Sequence, residues 1–395
     1  MAQAAGRIRS LYIRPHLIYD REGPSITPLK ILYANPKSRF ITVFIRGPSP
    51  PCQRQWRPAI DALVSGVPSI LPSPADIRAA AVRISGSIVR TPFFRSETLS
   101  AFFGGDVWLK MECEQHTGSF KLRGATNALA SLSADELSLG VVASSAGNHG
   151  LGIAAAAEAL GVSATVFVPR TAPAVKRDAI AAFGATVDAS AANYDAAELL
   201  ARAHATKTGA LFVSPCTGRT LLAGQGTVAL EMLSDLPTMR TVIVGVGGGG
   251  LAGGVGGWLR AEAPAVSIIG AQSERTNAMA LALAAGYPTD ILDLPTLADG
   301  LAGLVDDEMF AQGQAALDSI VTVSEAAIAN AIAYLWFEEG FKVEGAGAVT
   351  VAALLSGVIA APNFPVALII SGRNIDPDVH ANILDDSPRC PPPAP

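Results

Sequence analysis

From Pro74 onward, short apolar runs alternate with segments of helical pattern, and this alternation constrains the fold more than any other feature. The apolar runs include GVVAS, ATVFVP, TVIVGV, SIIGAQ and VALIIS, and stretches such as HGLGIAAAAEALG and GRTLLAGQGTVALEML separate them. Uninterrupted apolar strands joined by helices are typical of a mostly parallel sheet that helices cover on both faces. We therefore predict an α/β domain over residues 74–385, with ligands bound beyond the carboxyl ends of its strands.

The two ends of the chain differ from this domain. Residues 1–70 contain ten Lys and Arg against three Asp and Glu, so their net charge is +7, and they contain nine prolines. They lack the apolar core of a secretory signal and only weakly resemble a transit peptide. We predict that residues 1–73 are a disordered extension, with a targeting segment or a misassigned start left open, and that residues 386–395 are a Pro-rich tail.

Composition excludes several classes of partner. The net charge of −5 gives no general reason to expect nucleic acid. Residues 241–259 and 345–372 are long and uncharged, but the glycines of the first and the prolines of the second argue against a membrane span. The four cysteines show no paired spacing, so we interpret them as free thiols in the reducing environment of the cytoplasm.

A glycine-rich loop, GVGGGGLAGG at residues 245–254, joins a predicted strand to a predicted helix. Glycines allow the backbone to approach an anion closely, and the positive end of the helix favours a phosphate there. Tight helix–strand packing would also explain them. The string matches G-x-G-x-x-G, but the next strand ends at Gln272 where a nicotinamide dinucleotide site would have an acid, so that match is weak.

Two polar loops also follow predicted strands. The loop SSAGNHG (144–150) offers Ser145, Asn148 and His149 beside the start of a helix, a set that suits a carboxylate. Each of these residues could instead be a simple helix cap. The loop SGRNID (371–376) places Ser371 at the end of an apolar strand, although a lone serine there is more often a turn residue.

Lys121, in TGSFKLRGA (117–125), lies at the start of a predicted helix that Ser119 could cap. A cation in the first helical turn is mildly unfavourable, and a free lysine has a pKa of about 10.4. A lysine bonded to a cofactor aldehyde avoids the cost of becoming neutral until it is released. Together, a phosphate loop, a lysine, a carboxylate cradle and a serine indicate pyridoxal 5'-phosphate (PLP).

In this order, TGSFKLRGA, SSAGNHG, GGGGLAGG and SGRNID resemble the motifs of the serine/threonine dehydratases, which have the tryptophan-synthase-β-like PLP fold of type II. The resemblance covers about Pro74 to His380. It implies parallel sheets covered by helices, two lobes with PLP in the cleft between them, and a homodimer. SGRNID, with LPTLAD (294–299), is most similar to the hydroxyectoine-utilisation dehydratases.

The resemblance also implies roles for individual residues. Lys121 matches the Schiff-base lysine and the catalytic base, and Ser371 matches the serine that faces the pyridine nitrogen. The remaining matches to cofactor-binding residues are Phe120, Asn148, Gly247, Gly248, Gly249, Gly250, Leu251 and Glu344. The loop that binds the substrate carboxylate is matched by Ser145, Asn148 and His149.

The expected activity is that of an ammonia-lyase, which converts a 3-hydroxy amino acid such as L-threonine or L-serine to a 2-oxo acid and ammonia. Three departures bear on this expectation. Racemases of the family carry a serine where this chain has Ala146, and a metal-binding acid where it has Gln272, so we predict neither racemisation nor a metal. Arg373 replaces the usual second glycine of Gly-Gly-Asn, which leaves the substrate side chain open.

Other interpretations remain. Among enzymes, a hydroxyectoine-pathway or 3-hydroxyaspartate dehydratase, or an amino-acid racemase, is the alternative, whereas cysteine-synthase-like replacement is disfavoured because its motifs differ. A nicotinamide-binding module and a catalytically inactive binding protein are alternatives of other classes. The presence of Lys121 within an intact set of motifs argues against both.

Overall fold

The computed structural model describes residues 69–292, 294–359 and 361–387, and the backbone of three strands nearer the N-terminus. Those strands, β1 (Leu11–Pro15), β2 (Leu29–Ala34) and β3 (Phe40–Ile45), form an antiparallel sheet within a unit that ends at Ser69. Apart from residues 69–73, which are described, the rest of the predicted disordered extension lies outside the described residues, as do residues 388–395 of the predicted tail. Both assignments therefore stay predictions.

The second unit begins at Ile70 and alternates helices and strands as expected. Its strands are β4 (Phe93–Arg95), β5 (Val107–Lys110), β6 (Val141–Ser144), β7 (Ala164–Pro169), β8 (Thr186–Ala191), β9 (Leu211–Phe212), β10 (Thr241–Gly245), β11 (Ser267–Ser273), β12 (Ser319–Val323) and β13 (Val366–Ile369). Its helices are α1 (Pro74–Ile84), α2 (Glu97–Phe103), α3 (Lys121–Ala130), α4 (Ala134–Ser138), α5 (Asn148–Leu160), α6 (Ala174–Ala181), α7 (Tyr194–Thr208), α8 (Arg219–Asp235), α9 (Gly250–Glu262), α10 (Ala278–Ala285), α11 (Asp307–Ala316), α12 (Glu325–Phe337), α13 (Gly345–Leu355) and α14 (Pro377–Asp386).

Local sequence explains where several of these helices begin and end. Ser73 caps α1 through a capping box with Asp76, and Pro74 occupies the first helical turn, where no backbone donor is needed. Helix α5 ends at the predicted stop, Gly161, which adopts a left-handed conformation with φ of 66°. Side-chain caps and glycine stops thus fix the ends of these helices.

The strands of this unit form two sheets. The larger has the order β12-β11-β10-β13-β5-β4 and is parallel except at β4, which pairs antiparallel with β5; the smaller has the order β8-β7-β6-β9 and is wholly parallel. The prediction of parallel sheets covered by helices is confirmed. The strands β5 and β12 were not anticipated as such, because VWLK and SIVTV are short and partly polar.

Each face of the larger sheet packs into its own core. Ile243 and Leu368 contribute to the core that includes α12 and α13, while Val242 and Val244 contribute to the core that includes α8 and α9. A further core packs around the smaller sheet and includes Val141 and Val166. Alternate residues of one strand therefore serve opposite cores, which explains the continuous apolar runs.

This topology sets three of the loops of interest side by side. Strands β5, β13 and β10 are parallel neighbours, so the segments that follow them leave the same edge of the larger sheet. These segments contain Lys121, Ser371 and the glycine loop. The fourth loop, SSAGNHG, follows β6 of the smaller sheet. In the part of the chain that the structure describes, no helix combines the length and apolar character that a membrane crossing requires.

Candidate active site

Lys121 is the first residue of α3, and its half-buried amine donates a hydrogen bond to the Pro215 carbonyl at 2.8 Å. The amine also lies 5.3 Å from the centre of the Phe120 ring. Helix α5 packs directly on this segment, because a Cβ on Gly152 would lie 3.3 Å from the backbone of Lys121. The lysine is therefore held between the two sheets and is not a solvated surface residue.

The prediction that Ser119 caps α3 is wrong. The N-cap residue is Phe120, in helical conformation and without a side-chain cap, and the buried Ser119 hydroxyl has no hydrogen-bond partner among the described residues. Ser119 instead forms a bridge with Gly372, in which Phe120 N–H donates to Ser371 O at 3.1 Å and Arg373 N–H donates to Gly118 O at 2.9 Å. Extended pairing with the strand-end segment thus replaces the capping role and joins the lysine motif to the serine motif.

The glycine loop of residues 247–250 and Leu251 turns from β10 into α9, with Gly249 at φ of 82°. Side chains would not fit here: a Cβ on Gly247 would lie 3.0 Å from Leu301 O, and one on Gly248 would lie 2.7 Å from Cys216 Sγ. No side chain caps α9, so its first N–H groups are free to face an anion. Leu251 is buried and anchors the loop in the core.

The lysine and the glycine loop meet at two consecutive residues. Pro215 accepts the hydrogen bond from Lys121, and Cys216 packs against Gly248 and Gly250. Ser214 Oγ stabilises this turn by accepting hydrogen bonds from the following backbone and from Thr217. An amine and a cradle for a phosphate are thereby placed next to each other, although they are more than 120 residues apart in the chain.

The SSAGNHG loop places Asn148 at the first position of α5, again without a side-chain cap. Ser145 is half-buried, and its Oγ accepts a hydrogen bond from Gly147 N–H at 3.1 Å. The His149 ring points inward: its Nε2 lies 3.0 Å from Val213 O, and Nδ1 has no partner among the described residues. Burial, reinforced by the charge of Lys121, lowers the pKa of His149 to about 3, so the ring is neutral. The groups that could receive a carboxylate are then the backbone N–H groups of this helix end and the Ser145 hydroxyl.

Ser371 is buried beyond the end of β13, and its hydroxyl donates to Ala346 O at 3.2 Å. Arg373, two residues on, is half-exposed and pairs with Glu114 at 2.7 Å. The arginine therefore has an ionic partner, although its side chain remains accessible. The residue at the predicted ring-facing position is uncharged, as the sequence indicates.

Two residues bind Asn148 from opposite ends of its side-chain amide. Glu344 Oε1 accepts from Asn148 Nδ2 at 2.7 Å, and Asn374 Nδ2 donates to Asn148 Oδ1 at 2.6 Å and to Thr117 O at 2.8 Å. Asn374 was not among the predicted site residues. Asn374 lies in the same loop beyond β13 as Ser371, three residues later, and this position could have identified it as a site residue.

The position where racemases have a metal-binding acid is occupied by a hydrogen-bonded amide. Gln272 is buried, with Oε1 accepting from Ala280 N–H at 2.9 Å and Nε2 donating to Thr276 O at 3.3 Å. Across the described ranges, no group of three or more His, Cys, Asp or Glu side chains is arranged to hold a metal ion. Strand β11, which follows the glycine loop, ends at Ser273, one residue after this amide, and neither residue is an acid.

Taken together, the residues suit a phosphate-bearing aldehyde. The glycine loop and the start of α9 can receive the phosphate, and the Lys121 amine beside them can bond the aldehyde. Ser371 and Asn148 supply a neutral hydroxyl and an amide on the segments that flank the lysine. Cys216 packs so closely on the loop that a side chain at Gly248 or Gly250 would not fit, which leaves the loop's backbone as the surface that a ligand could contact.

Comparison with known proteins gives a consistent result. A family model described as pyridoxal-phosphate dependent enzyme matches residues 84–372. The chain is 41% identical to L-threonine ammonia-lyase of Thermotoga maritima over 311 residues, which is 78% of this chain and 77% of that protein. Among solved structures, a threonine deaminase from T.th. is similar with a TM-score of 0.72 and 35% identity, covering 77% of this chain and 99% of that one. Maize serine racemase is similar with a TM-score of 0.75 and 31% identity, covering 79% and 96%.

Proposed function

We propose that this chain, which belongs to the pyridoxal-phosphate-dependent enzyme family, is an ammonia-lyase that converts a 3-hydroxy amino acid such as L-threonine or L-serine to a 2-oxo acid and ammonia. The observation that carries the proposal is the junction at residues 215–216, where the Lys121 amine and the glycine loop contact consecutive residues. The names of the similar proteins, threonine ammonia-lyase and threonine deaminase, support the reaction type.

In this proposal Lys121 bonds the cofactor, Phe120 packs near its ring, and residues 247–251 bind its phosphate. Ser371 would lie beside the pyridine nitrogen, and Asn148 would donate to the phenolic oxygen. When bound, PLP would supply an electrophilic carbon to which the substrate amine adds and an electron-withdrawing ring that makes the α-proton acidic.

The protein groups around the cofactor determine how the substrate reacts. Ser145 and the backbone N–H groups at the start of α5 bind the substrate carboxylate and fix the position of the α-carbon. Lys121, once free of the cofactor, would act as the base that removes the α-proton. A neutral serine beside the ring nitrogen would not hold a proton there, which would favour prompt loss of the β-hydroxyl group over a long-lived negative charge on the α-carbon.

Racemisation is disfavoured by the residue at position 146. A racemase needs a second acid or base on the face opposite the lysine, and Ala146 has no titratable group. The similarity to maize serine racemase extends to the fold and the family and does not supply that group. Elimination needs a base on one face only: Lys121 would take the α-proton, and the ammonium so formed could return that proton to the departing hydroxide, which leaves as water.

The test combines product analysis with cofactor attachment. The PLP-loaded protein should release a 2-oxo acid from at least one of L-threonine, L-serine and 3-hydroxyaspartate, without accumulating the D-isomer. Borohydride should fix the cofactor to Lys121, as peptide mass spectrometry would show, and Lys121→Ala should abolish both attachment and product. A protein that binds PLP at Lys121 and yields the D-isomer without 2-oxo acid would refute the ammonia-lyase assignment.

Assembly and location form the remaining part of the proposal. Its supports are the resemblance, which implies a homodimer, and the unpaired thiols of Cys113 and Cys216, which suit a reducing cytoplasm. Light scattering after size-exclusion chromatography would measure the oligomer, and cell fractionation would test the location. A monomer that is active at nanomolar concentration would contradict the dimer.

A further inference from the structure

We propose that Glu344 is a positioning residue that, together with Asn374, fixes which way the Asn148 side-chain amide faces. The inference rests on the proposed PLP site, because it concerns the amide assigned to the phenolic oxygen. It changes the role of Glu344 from a direct cofactor contact to a residue that acts through Asn148.

The hydrogen bonds determine the orientation of the amide. An asparagine side chain can turn over, exchanging its oxygen and nitrogen, at little cost unless its neighbours distinguish the two atoms. Here Asn374 Nδ2 can only donate, so it selects Oδ1 of Asn148, and the Glu344 carboxylate can only accept, so it selects Nδ2. One N–H of Asn148 then remains free for a cofactor oxygen.

A carboxylate is the group that this position requires. Besides Asn148 Nδ2, the backbone N–H of Asn374 donates to Glu344, so two donors converge on one side chain. An amide at position 344 would present one acceptor oxygen in place of two, and would place an NH₂ group beside these donors. Removing one acceptor in this way costs more than the average hydrogen bond contributes.

The surrounding backbone is built to admit this carboxylate. A Cβ on Gly372 would lie 2.3 Å from Glu344 Oε1, so only glycine leaves space for it. Glu344 is also the N-cap residue of α13, yet its side chain makes no capping hydrogen bond and turns towards Asn148 instead. Its backbone N–H pairs with Gly372 O at 3.1 Å, which fixes the side chain's starting point.

The charge state of Glu344 is poised for titration near neutral pH. Burial, reinforced by the negative charge of Asp299, raises the pKa of Glu344 to about 7, although the hydrogen bonds from Asn148 and Asn374 and the positive charge of Lys176 act in the opposite direction. Asp299 and Lys176 are themselves paired at 3.4 Å. Below this pH the protonated carboxyl loses an acceptor site, as an amide would.

The experiment compares Glu344→Gln with Glu339→Gln after loading with PLP. Glu339 is a matched control, because its carboxylate also accepts from several donors, Ser96, Thr98 and Tyr334, and belongs to none of the four loops. The first readout is the dissociation constant of PLP. The second is the ratio of the cofactor's absorbance bands at about 330 and about 410 nm, and this ratio depends on hydrogen bonding at the phenolic oxygen.

We expect Glu344→Gln to bind PLP roughly five- to hundredfold more weakly and to shift the band ratio, while Glu339→Gln changes neither. The wild-type band ratio should titrate with a midpoint near pH 7 and, at low pH, approach the ratio of Glu344→Gln, which should be constant over the same range. Asn374→Ala removes the donor to Asn148 Oδ1 and should shift the band ratio in the same direction. This variant tests the inference if Glu344→Gln does not fold.

The outcomes separate this inference from the proposed function. If the wild-type protein shows the band near about 410 nm and both Glu344→Gln and Asn374→Ala match it in affinity, ratio and pH profile, the positioning role is refuted and the PLP site stands. If the wild-type protein itself binds no PLP, the proposed function fails and this inference with it.

Discussion

Replacing Arg123 with methionine tests how the structure holds Lys121, because Arg123 lies two residues further along α3 and its side chain is fully buried. Its guanidinium makes four hydrogen bonds to two carboxylates. These are Nε to Glu112 Oε2 at 2.8 Å, Nη2 to Glu112 Oε1 at 2.8 Å, Nη1 to Glu231 Oε1 at 2.7 Å and Nη2 to Glu231 Oε2 at 2.9 Å. Lys110 completes the cluster with a bond to Glu231. Strand β5, α3 and α8 are thus tied together.

The expected cost follows from the charges in this cluster. Two cations and two carboxylates balance in the wild type, and methionine would leave a net charge of −1 inside the protein. Removing one partner of a buried ion pair costs about 3–5 kcal/mol. With roughly 2 °C per kcal/mol for a large domain, the melting temperature should fall by about 6–10 °C. Burial acts to raise the pKa of Glu231, and the hydrogen bonds and charge of Arg123 reverse this effect, so without Arg123 the deficit should increase as the pH rises above the ordinary pKa of a glutamate.

The measurement is thermal unfolding of the cofactor-free protein by circular dichroism, since bound PLP would add its own stabilisation. Arg90→Met is the control: Arg90 pairs with Asp235 at 2.6 Å, but both side chains are more than a third exposed, so its removal should cost at most about 1 kcal/mol. Arg123→Lys should fall between the two, because it keeps the charge and loses the forked geometry. If Arg123→Met melts within about 2–3 °C of Arg90→Met, about 1 kcal/mol, the cluster does not secure α3.

Three further results are expected. In a urea titration, Gly118→Ala should lower the free energy of unfolding by about 1–3 kcal/mol more than Gly104→Ala. Both residues have positive φ (73° and 66°), but only at position 118 would the new Cβ meet another atom, Asn374 Oδ1, at 2.6 Å. Gly248→Ala should weaken PLP binding at least about tenfold in a fluorescence titration, and Cys216→Ala in the same chain should restore part of the affinity, because the new Cβ would lie 2.7 Å from that sulfur. His149→Asn should reduce the fall in melting temperature between about pH 6.5 and about pH 3. The pKa of this histidine is lowered to about 3, so over that range the unfolded chain binds a proton that the folded chain does not. Wild-type stability therefore falls by up to about 1.4 kcal/mol per pH unit as the pH decreases, and the variant should lack this contribution.

Sequence pattern predicted those parts of the fold that depend on local chemistry. The left-handed Gly161 ends α5 where expected, and the glycine loop and SSAGNHG both join a strand to a helix. The capping role of Ser119 was predicted wrongly, because pairing with Gly372 competes for that segment and is a contact between residues 253 positions apart. The hydrophobic periodicity of a sequence does not predict a pairing between such distant residues.

The hydrogen bonds of the site were less predictable for the same reason. In the sequence Arg123 cannot be distinguished from an ordinary helical arginine. Only the fold shows that the carboxylates of Glu112, just after β5, and Glu231, in α8, both bind it. Glu344 is 196 residues from Asn148, so its bond to that amide depends on how the two sheets are set against each other. The glutamate could be placed near the cofactor by resemblance, whereas its partner could not.

The buried carboxylates Glu112, Glu231 and Glu344 differ in the groups that compensate their negative charge. Glu112 and Glu231 share a guanidinium and an ammonium, and the pKa of Glu231 is held below its ordinary value. Glu344 is equally buried, but it has hydrogen-bond donors in place of a cation, and burial raises its pKa to about 7. Strongly perturbed carboxyl groups that lack a cation cluster at ligand-binding and catalytic sites, which agrees with the position proposed for Glu344. On this argument, loss of Arg123 should first lower the melting temperature, whereas loss of the Glu344 carboxylate should first weaken binding at the proposed cofactor site.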